Sequence, residues 1–363
     1  MTPRDELALA HKLTQPEVRR RAAPLTRGER TSAPIAVDLD PTSFCDLACP
    51  GCISGDLLGQ ARFTTDRLER LADELVAMDV RAVVLIGGGE PLMHPATAAV
   101  AERLSRAGVA VGLVTNGTLL DRHLDVLRGS LSWLRVSLDA ATPETYGAVR
   151  PGHRGVNKFA KVLANIRLAT GHDTLKVGIS YVVFTPRPGS PVSNVEEIPG
   201  AASLAVDLGC DYVEFKAELA DDHSIAEVDA ATVDLIDRRL RHAGERTAGT
   251  PVRVLRSSSL TALLAGRPDQ DKGYSTCPTT QLRTTITPSG VFVCAYHRGK
   301  PGFRLGDVQS APLRDVWDAA DFTAVDPRRA CRFHCARHDA NRLVLDGIPL
   351  AAESPGGPAD WFI

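Results

Sequence analysis

Three thiols fall within eight residues in Cys45-Asp46-Leu47-Ala48-Cys49-Pro50-Gly51-Cys52, at the spacing C-x3-C-x2-C. Three thiolates can hold three corners of a four-iron cluster and leave the fourth iron open. Zinc also uses C-x2-C pairs, usually in a closed set of four ligands, so this loop alone leaves both metals open. A disulfide framework belongs to short secreted chains, and a 363-residue chain without a signal sequence does not match that class. Further along, Arg81-Ala82-Val83-Val84-Leu85-Ile86-Gly87-Gly88-Gly89-Glu90-Pro91 reads as a buried strand running into a triple glycine and a carboxylate. Glycines let backbone groups approach a ligand closely, and Glu90 offers negative charge to an ammonium group. A glycine-rich turn by itself is also what any tight strand-to-helix connection uses.

A second thiol set lies near the C-terminus. Cys277 and Cys294 flank Thr284-Thr285-Ile286-Thr287-Pro288-Ser289-Gly290-Val291-Phe292-Val293, which reads as a hairpin turning at Pro288-Ser289-Gly290. Cys331 and Cys335 follow at C-x3-C spacing. Four thiols from a hairpin and a later turn suit a closed zinc site as well as a cluster. The eighth cysteine, Cys210, stands at the start of a strand, at the end opposite the other thiols, and reads as a buried core residue.

These residues need elements to carry them. Pro34 to Leu39 alternates apolar and polar residues as a strand does, which puts the first thiol loop at a strand end. Strands at 81–86, 109–114, 133–138, 175–184 and 211–216 alternate with helical stretches at 64–78, 95–107, 119–129 and 156–170. Alternating βα units predict a parallel sheet with right-handed crossovers. The pattern changes character after residue 217, so the expected fold is an α/β partial (β/α)6 TIM-like barrel followed by a small domain built on a β-hairpin. The predicted organisation is an N-terminal extension at 1–33, barrel at 34–225, helical connector at 226–275 (helix 229–243), hairpin domain at 276–340 and tail at 341–363, with Pro355-Gly356-Gly357-Pro358 as a loose element. The proline-rich stretch Thr185 to Pro191 reads as a long loop on the strands' C-terminal side, placed to cover a site there. The basic run Arg19-Arg20-Arg21 reads as a solvated helix or cap outside the core.

Lysine plus arginine number 42 against 44 acidic residues, a formal net charge of −2. That balance gives no basic field for nucleic acid, and no stretch reaches the ~20 apolar residues of a membrane span. Eight cysteines without a secretory signal point to a reducing cytoplasm and to metal or redox use.

The cysteine loop followed by a GGE-P strand end resembles the radical S-adenosylmethionine (SAM) superfamily. The resemblance spans most of residues 36–340 and implies a [4Fe–4S] cluster on Cys45, Cys49 and Cys52 whose open iron chelates the methionine end of SAM. It also implies that Gly87, Gly88, Gly89 and Glu90 bind the methionine amino group, and that Ser137 and Arg150 contact the cofactor's carboxylate. Asn116 and Asp139 become candidates for polar cofactor contacts. Such proteins usually carry an aromatic just before the third cysteine, near the adenine; here that residue is Gly51, so a stacking surface must come from elsewhere. The C-terminal thiols resemble a twitch or SPASM-like auxiliary domain, implying a second [4Fe–4S] cluster on Cys277, Cys294, Cys331 and Cys335. That domain commonly has a glycine five residues before its second cysteine, whereas Gly290 stands four before Cys294.

With four thiol ligands the second cluster has no open iron, which assigns it electron transfer. The compact auxiliary domain looks most like the dehydrogenases of aminocyclitol and aminoglycoside antibiotic biosynthesis. The expected activity is therefore a radical oxidoreductase acting on a sugar, aminocyclitol or nucleoside-like metabolite, served by a one-electron donor such as flavodoxin or ferredoxin. Epimerisation or decarboxylation of a sugar-derived substrate, peptide modification and a zinc-binding scaffold are the alternatives; no leader-binding pattern is visible in 1–33. For the catalytic base or substrate contacts the candidates are Tyr181, Lys216 and His297, with Glu218 and His334 beside them.

Overall fold

The computed structural model describes residues 12–171, 175–186, 192–267, 271–348 and 361–362. Six parallel strands stand where the sequence placed them: β1 (Ala36–Leu39), β2 (Ala82–Leu85), β3 (Ala110–Thr115), β4 (Trp133–Ser137), β5 (Lys176–Val183) and β6 (Tyr212–Ala217). An N-terminal helix α1 (Pro16–Thr26) precedes them. Between them run α2 (Thr65–Ala77), α3 (Thr97–Arg106), α4 (Leu124–Ser130), α5 (Pro143–Val149), α6 (Phe159–Thr170) and α7 (Ile198–Asp207). α2 shows the local logic: Thr64 caps its first turn by accepting from the Arg67 amide at 3.2 Å. Leu68, Leu71, Ala72 and Leu75 then bury one face against the sheet.

After β6 come α8 (Ala230–Thr247), β7 (Arg253–Arg256) and α9 (Ser258–Leu264). The hairpin β8 (Arg283–Thr287) and β9 (Gly290–Phe292) follows, then β10 (Arg304–Gly306), α10 (Leu313–Ala319), α11 (Pro327–Ala330) and α12 (His338–Asp346). All ten strands form one sheet in the order β10-β9-β8-β1-β2-β3-β4-β5-β6-β7. The sheet extends beyond the six expected strands at both edges. β7 pairs parallel with β6, inside the stretch read as a helical connector. Four residues with an arginine at each end and no fully buried position carry no strand-like alternation. On the other edge β8 pairs parallel with β1, so the hairpin continues the barrel wall. Thr285 faces Phe292 and Thr287 faces Gly290, which fixes the hairpin register with Pro288-Ser289 at the turn. Gly290 has φ +136°, where a side chain is disfavoured and would meet Arg304 and Gly306.

Strand alternation divides two interiors. Leu134, Val136, Ile179, Val213 and Phe215 face outward into a core shared with the helices. Inward, Trp133 lies over Gly112 and Tyr212 over Gly178; a Cβ on either glycine would fall within 2.2 Å of the ring above it. Ala36, Ala82 and Val84 close one end of the barrel interior with Leu13, Val18, Ala22 and Leu25 around α1, Val344 of α12 and Phe362. The N-terminal segment thus buries one face in a barrel plug while its arginines stay outside that core, Arg21 donating to the Asp79 carbonyl at 2.8 Å. Residues 187–191 of the proline-rich loop and 355–358 of the tail lie outside the described residues.

Candidate active site

The first cysteine loop leaves β1 and is held by its neighbours at several points. The Asp46 carboxylate accepts from Asn116 Nδ2 at 2.8 Å, Thr118 Oγ1 at 2.6 Å and Lys158 Nζ at 2.6 Å. The Ala48 amide donates to the Pro151 carbonyl at 2.8 Å, Leu47 bridges Gly152, and a His153 ring nitrogen meets the Cys45 carbonyl at 3.0 Å. The loop after α5 thereby fixes the backbone between the thiols. Asp46, Thr118 and Lys158 were not singled out from the sequence, since their partners lie 72 and 112 residues away along the chain.

The triple glycine is a close-approach turn. A Cβ on Gly89 would lie 2.2 Å from the Phe44 carbonyl oxygen, and one on Gly87 would lie 2.4 Å from the Gly89 oxygen. The Glu90 amide donates to that Phe44 carbonyl at 2.8 Å, docking the turn onto the cysteine loop. The buried Glu90 carboxylate accepts at Oε1 from Thr115 Oγ1 at 2.6 Å and the Leu92 amide at 3.1 Å, and at Oε2 from the Asn116 amide at 2.7 Å. Each carboxylate oxygen has capacity for about two donors, so Oε2 keeps a lone pair for an ammonium group. Burial pushes the Glu90 carboxyl up to about 7 despite these donors, and an approaching cation reverses that cost.

Ser137 ends β4 on the inner wall, opposite Ser180 of β5. Asp139 adopts φ 56°, a strained conformation for a residue other than glycine. It accepts from the Val182 amide at 2.7 Å and pairs with Arg150, whose Nη2 lies 2.5 Å from Oδ2. Burial works against the Arg150 charge, but Asp139 and Cys49 hold the guanidinium protonated. Asn194, also unforeseen, ties this corner together by donating to the Asp139 and Val182 carbonyls at 2.9 and 2.8 Å. The missing aromatic has a neighbour in its place: a Cβ on Gly51 would sit 3.2 Å from the Phe184 ring, at the end of β5.

Two of the three proposed catalytic side chains are elsewhere. Tyr181 faces the outer core, fully buried, and donates its hydroxyl to the Asn194 carbonyl at 2.9 Å. β5 alternation puts Ser180 and Val182, not Tyr181, on the barrel side. His297 is buried in the auxiliary domain, stacked on Phe303 at 3.8 Å between ring centres, with Nε2 3.5 Å from Cys331 Sγ. Burial drops it to about 4. Lys216 does face the interior. Its Nζ lies 3.5 Å from Glu214 Oε2, which also receives Arg135 Nη1 at 2.6 Å. Burial and the neighbouring Arg135 lower the Lys216 pKa against the pull of Glu214. Glu218 and His334 are both buried, and Cys210 lies in the outer core.

The C-terminal thiols converge. Cys294 and Cys331 are buried, and the ionisation of Cys331 is opposed by burial and then by Cys294, Cys277 and Cys335. Burial pushes Cys45, Cys331 and Cys335 each up to about 12. Thiols at such values would become thiolates only where a metal displaces the proton, which is released to solvent. Main-chain amides are already turned toward them: those of Tyr296 and His297 favour the Cys294 thiolate, Arg337 that of Cys335 and Leu47 that of Cys45. Asn341 Nδ2 donates to Cys277 Sγ at 3.2 Å. Amide donors to sulfur are the surroundings that tune iron–sulfur clusters, so both thiol sets fit such a group. Among the described residues, no three His, Cys, Asp or Glu side chains close around a single metal ion.

Comparison with known proteins agrees. Residues 39–198, the stretch that holds the cysteine loop and the glycine turn, match the Radical SAM superfamily model. The AdoMet-dependent heme synthase of Methanosarcina barkeri is 32% identical over 185 residues, covering 49% of each chain. GTP 3',8-cyclase 1 of Pseudomonas aeruginosa is 31% identical over 179 residues, covering 48% of this chain and 51% of that one. The mycofactocin maturase MftC of Mycobacterium tuberculosis is 29% identical over 180 residues, covering 49% of this chain and 43% of that one. The chain thus spans about half the length of the curated relatives it matches. Among solved structures, Streptococcus suis SuiB bound to its precursor peptide SuiA superposes with TM-score 0.64 at 15% identity, covering 86% of this chain and 71% of that one. Radical SAM proteins use SAM and a [4Fe–4S] cluster, and relatives with SPASM or twitch domains carry auxiliary clusters. Among the described residues no helix is long and apolar enough to cross a membrane.

Proposed function

We propose that this chain is a radical SAM enzyme that oxidises a hydroxyl-bearing carbon of a polar metabolite: a sugar, aminocyclitol or nucleoside-like molecule. When bound, SAM with the first cluster supplies a 5'-deoxyadenosyl radical for hydrogen abstraction, and the second cluster, on Cys277, Cys294, Cys331 and Cys335, supplies a one-electron sink. Cys45, Cys49 and Cys52 hold the first cluster, Glu90 Oε2 takes the methionine ammonium, and Arg150 with Ser137 faces its carboxylate. Gly87, Gly88 and Gly89 form the turn on which that end of the cofactor rests. Asn116 and Asp139 act mainly by holding Glu90, Asp46 and Arg150 in place. Phe184 supplies the apolar surface that Gly51 lacks.

The observation that carries the substrate reading is the inner wall at β6. Lys216 is only partly exposed, stands over the Arg135–Glu214 pair and has a lowered pKa. A wall of paired charges suits a ligand rich in hydroxyl groups, because each such group finds a donor or acceptor there. Lys216, in its neutral fraction, takes the substrate's hydroxyl proton. The electron donor is a small one-electron carrier such as flavodoxin or ferredoxin. A second reading, peptide modification, draws support from the fold likeness to SuiB with its precursor peptide.

The test is anaerobic incubation of reduced, iron-loaded protein with SAM and a panel of sugars and aminocyclitols, read by mass spectrometry. A product two mass units lighter is expected. Lys216→Met should lower its formation by about 100-fold or more with SAM binding unchanged. A product of unchanged mass, loss of carbon dioxide, or turnover of a peptide alone would contradict oxidation.

A further inference from the structure

Arg298 belongs by sequence to the C-terminal module, four residues past Cys294, yet its side chain ends in the first site. Its Nε lies 2.8 Å from Asp40 Oδ2, its Nη2 donates to Asp40 Oδ1 at 3.3 Å, and its Nη1 donates to Ser54 Oγ at 3.2 Å. Asp40 Oδ2 in turn accepts from the Gly88 amide at 2.9 Å. A Cβ on Gly88 would lie 3.5 Å from Asp40 Oδ2, 3.7 Å from Arg298 Cδ and 4.0 Å from Ser54 Cβ. One guanidinium therefore joins the end of β1, the residue two beyond Cys52 and the middle glycine of the turn before Glu90. The next residue, Gly299, has φ +76° and sits where a Cβ would come within 2.4 Å of Leu57, just past the cysteine loop. The segment bearing Arg298 is fixed from its other side by the auxiliary thiols: the His297 amide donates to the Cys294 carbonyl at 3.2 Å, and its ring meets Cys331 Sγ at 3.5 Å.

We infer that Arg298 is a positioning residue for SAM: through Asp40 and Ser54 it sets the Gly88 peptide and the flank of the cysteine loop, so the cofactor site is complete only when the C-terminal module is seated. The pair is almost fully buried, with side-chain exposures of 10% for Arg298 and 2% for Asp40. Buried and hydrogen-bonded, it offers few alternative arrangements, and loss of one partner leaves the other charge uncompensated. By linkage, whatever seating contributes to SAM affinity, SAM returns to seating. This inference rests on the reading that the glycine turn binds SAM.

The test is equilibrium dialysis of labelled SAM against anaerobic, iron-loaded full-length protein, alongside iron and sulfide content. Arg298→Ala is expected to weaken SAM binding about tenfold or more, Asp40→Asn similarly, and the double variant no more than the weaker single, because the two act as one unit. Arg298→Lys keeps the charge but cannot bridge Asp40 and Ser54, and should fall between. The SAM-dependent change in the electron paramagnetic resonance spectrum of the reduced first cluster should weaken in parallel, which mere loss of stability would not produce in folded protein. If Arg298→Ala fails to load iron, Arg298→Lys decides: wild-type affinity in the variant that loads overturns the inference. A wild-type chain that does not bind SAM overturns the underlying reading instead.

Discussion

Glu90 shows how a single residue can be read from sequence in type but not in surroundings. Its place after three glycines marked it as a cofactor carboxylate, yet the donors from Thr115, Leu92 and Asn116 are visible only once β2 and β3 are side by side. These bonds make it a tie between strand ends beside its proposed role toward the cofactor. Its folded-state pKa of about 7 lies above the usual carboxylate range. The folded cofactor-free protein therefore binds the proton more tightly than the unfolded chain. The contribution is fully present below the ordinary carboxylate pKa and is lost as pH rises through about 7. Thermal melts of cofactor-free protein should show stability falling by a few kcal/mol, to order of magnitude, between about pH 4.5 and 7.5. Glu90→Gln should flatten that slope, and an equal slope in the variant would assign it to other groups. The same limit explains Tyr181 and His297: alternation along β5 sets which face a residue takes, but the phase is set by packing, and the burial of His297 depends on Phe303 and Cys331.

At the level of elements, β1 ties the first cysteine loop to the C-terminal module. Its inward carboxylates Asp38 and Asp40 are held by arginines of the C-terminal module. Arg283 Nη2 stands 2.5 Å and Arg337 Nη2 3.8 Å from Asp38, while Arg298 holds Asp40. Burial disfavours charge on Asp38, but Arg283, Arg337 and Arg298 outweigh it and keep its pKa low. Arg337 also lies within the field of Cys294, Cys277 and Cys335. A fixed cation beside a cluster favours its reduced, more negative state, and a carboxylate opposes it. Arg337→Met should therefore lower the auxiliary midpoint potential, by about 59 mV for each tenfold change in the reduction equilibrium. Asp38→Asn should raise it. Redox titration followed by electron paramagnetic resonance reads both, and shifts of the same sign would argue against an electrostatic role. The six central strands were legible because each carries apolar residues at least at alternate positions between turn residues. β7 and the β8–β1 pairing were not: one is a short charged edge, the other a contact between residues 245 or more apart in sequence.

For the whole molecule, a barrel wall extended by the hairpin of its own auxiliary domain places the first cysteine loop, after β1, and Cys294, after β9, at strand ends of one continuous sheet. The plug of α1, α12 and Phe362 closes one end of its interior with apolar side chains, and the charged residues of the inner wall stand beyond it. The cysteine loop taken together with the glycine turn pointed to the metal chemistry without any structure. The proposed choice of metabolite rests on the three-dimensional set of Arg135, Glu214 and Lys216, whose spacing in sequence carries no signature. The central claim is that Cys45, Cys49 and Cys52 hold a cluster with one iron open to SAM. Its most direct measurement is the yield of methionine and 5'-deoxyadenosine from anaerobic, iron-loaded protein given SAM and a strong reductant. The wild-type chain should produce both, and Cys45→Ala neither, with the auxiliary iron retained. Iron-free wild-type protein, or equal cleavage by Cys45→Ala, would contradict the account.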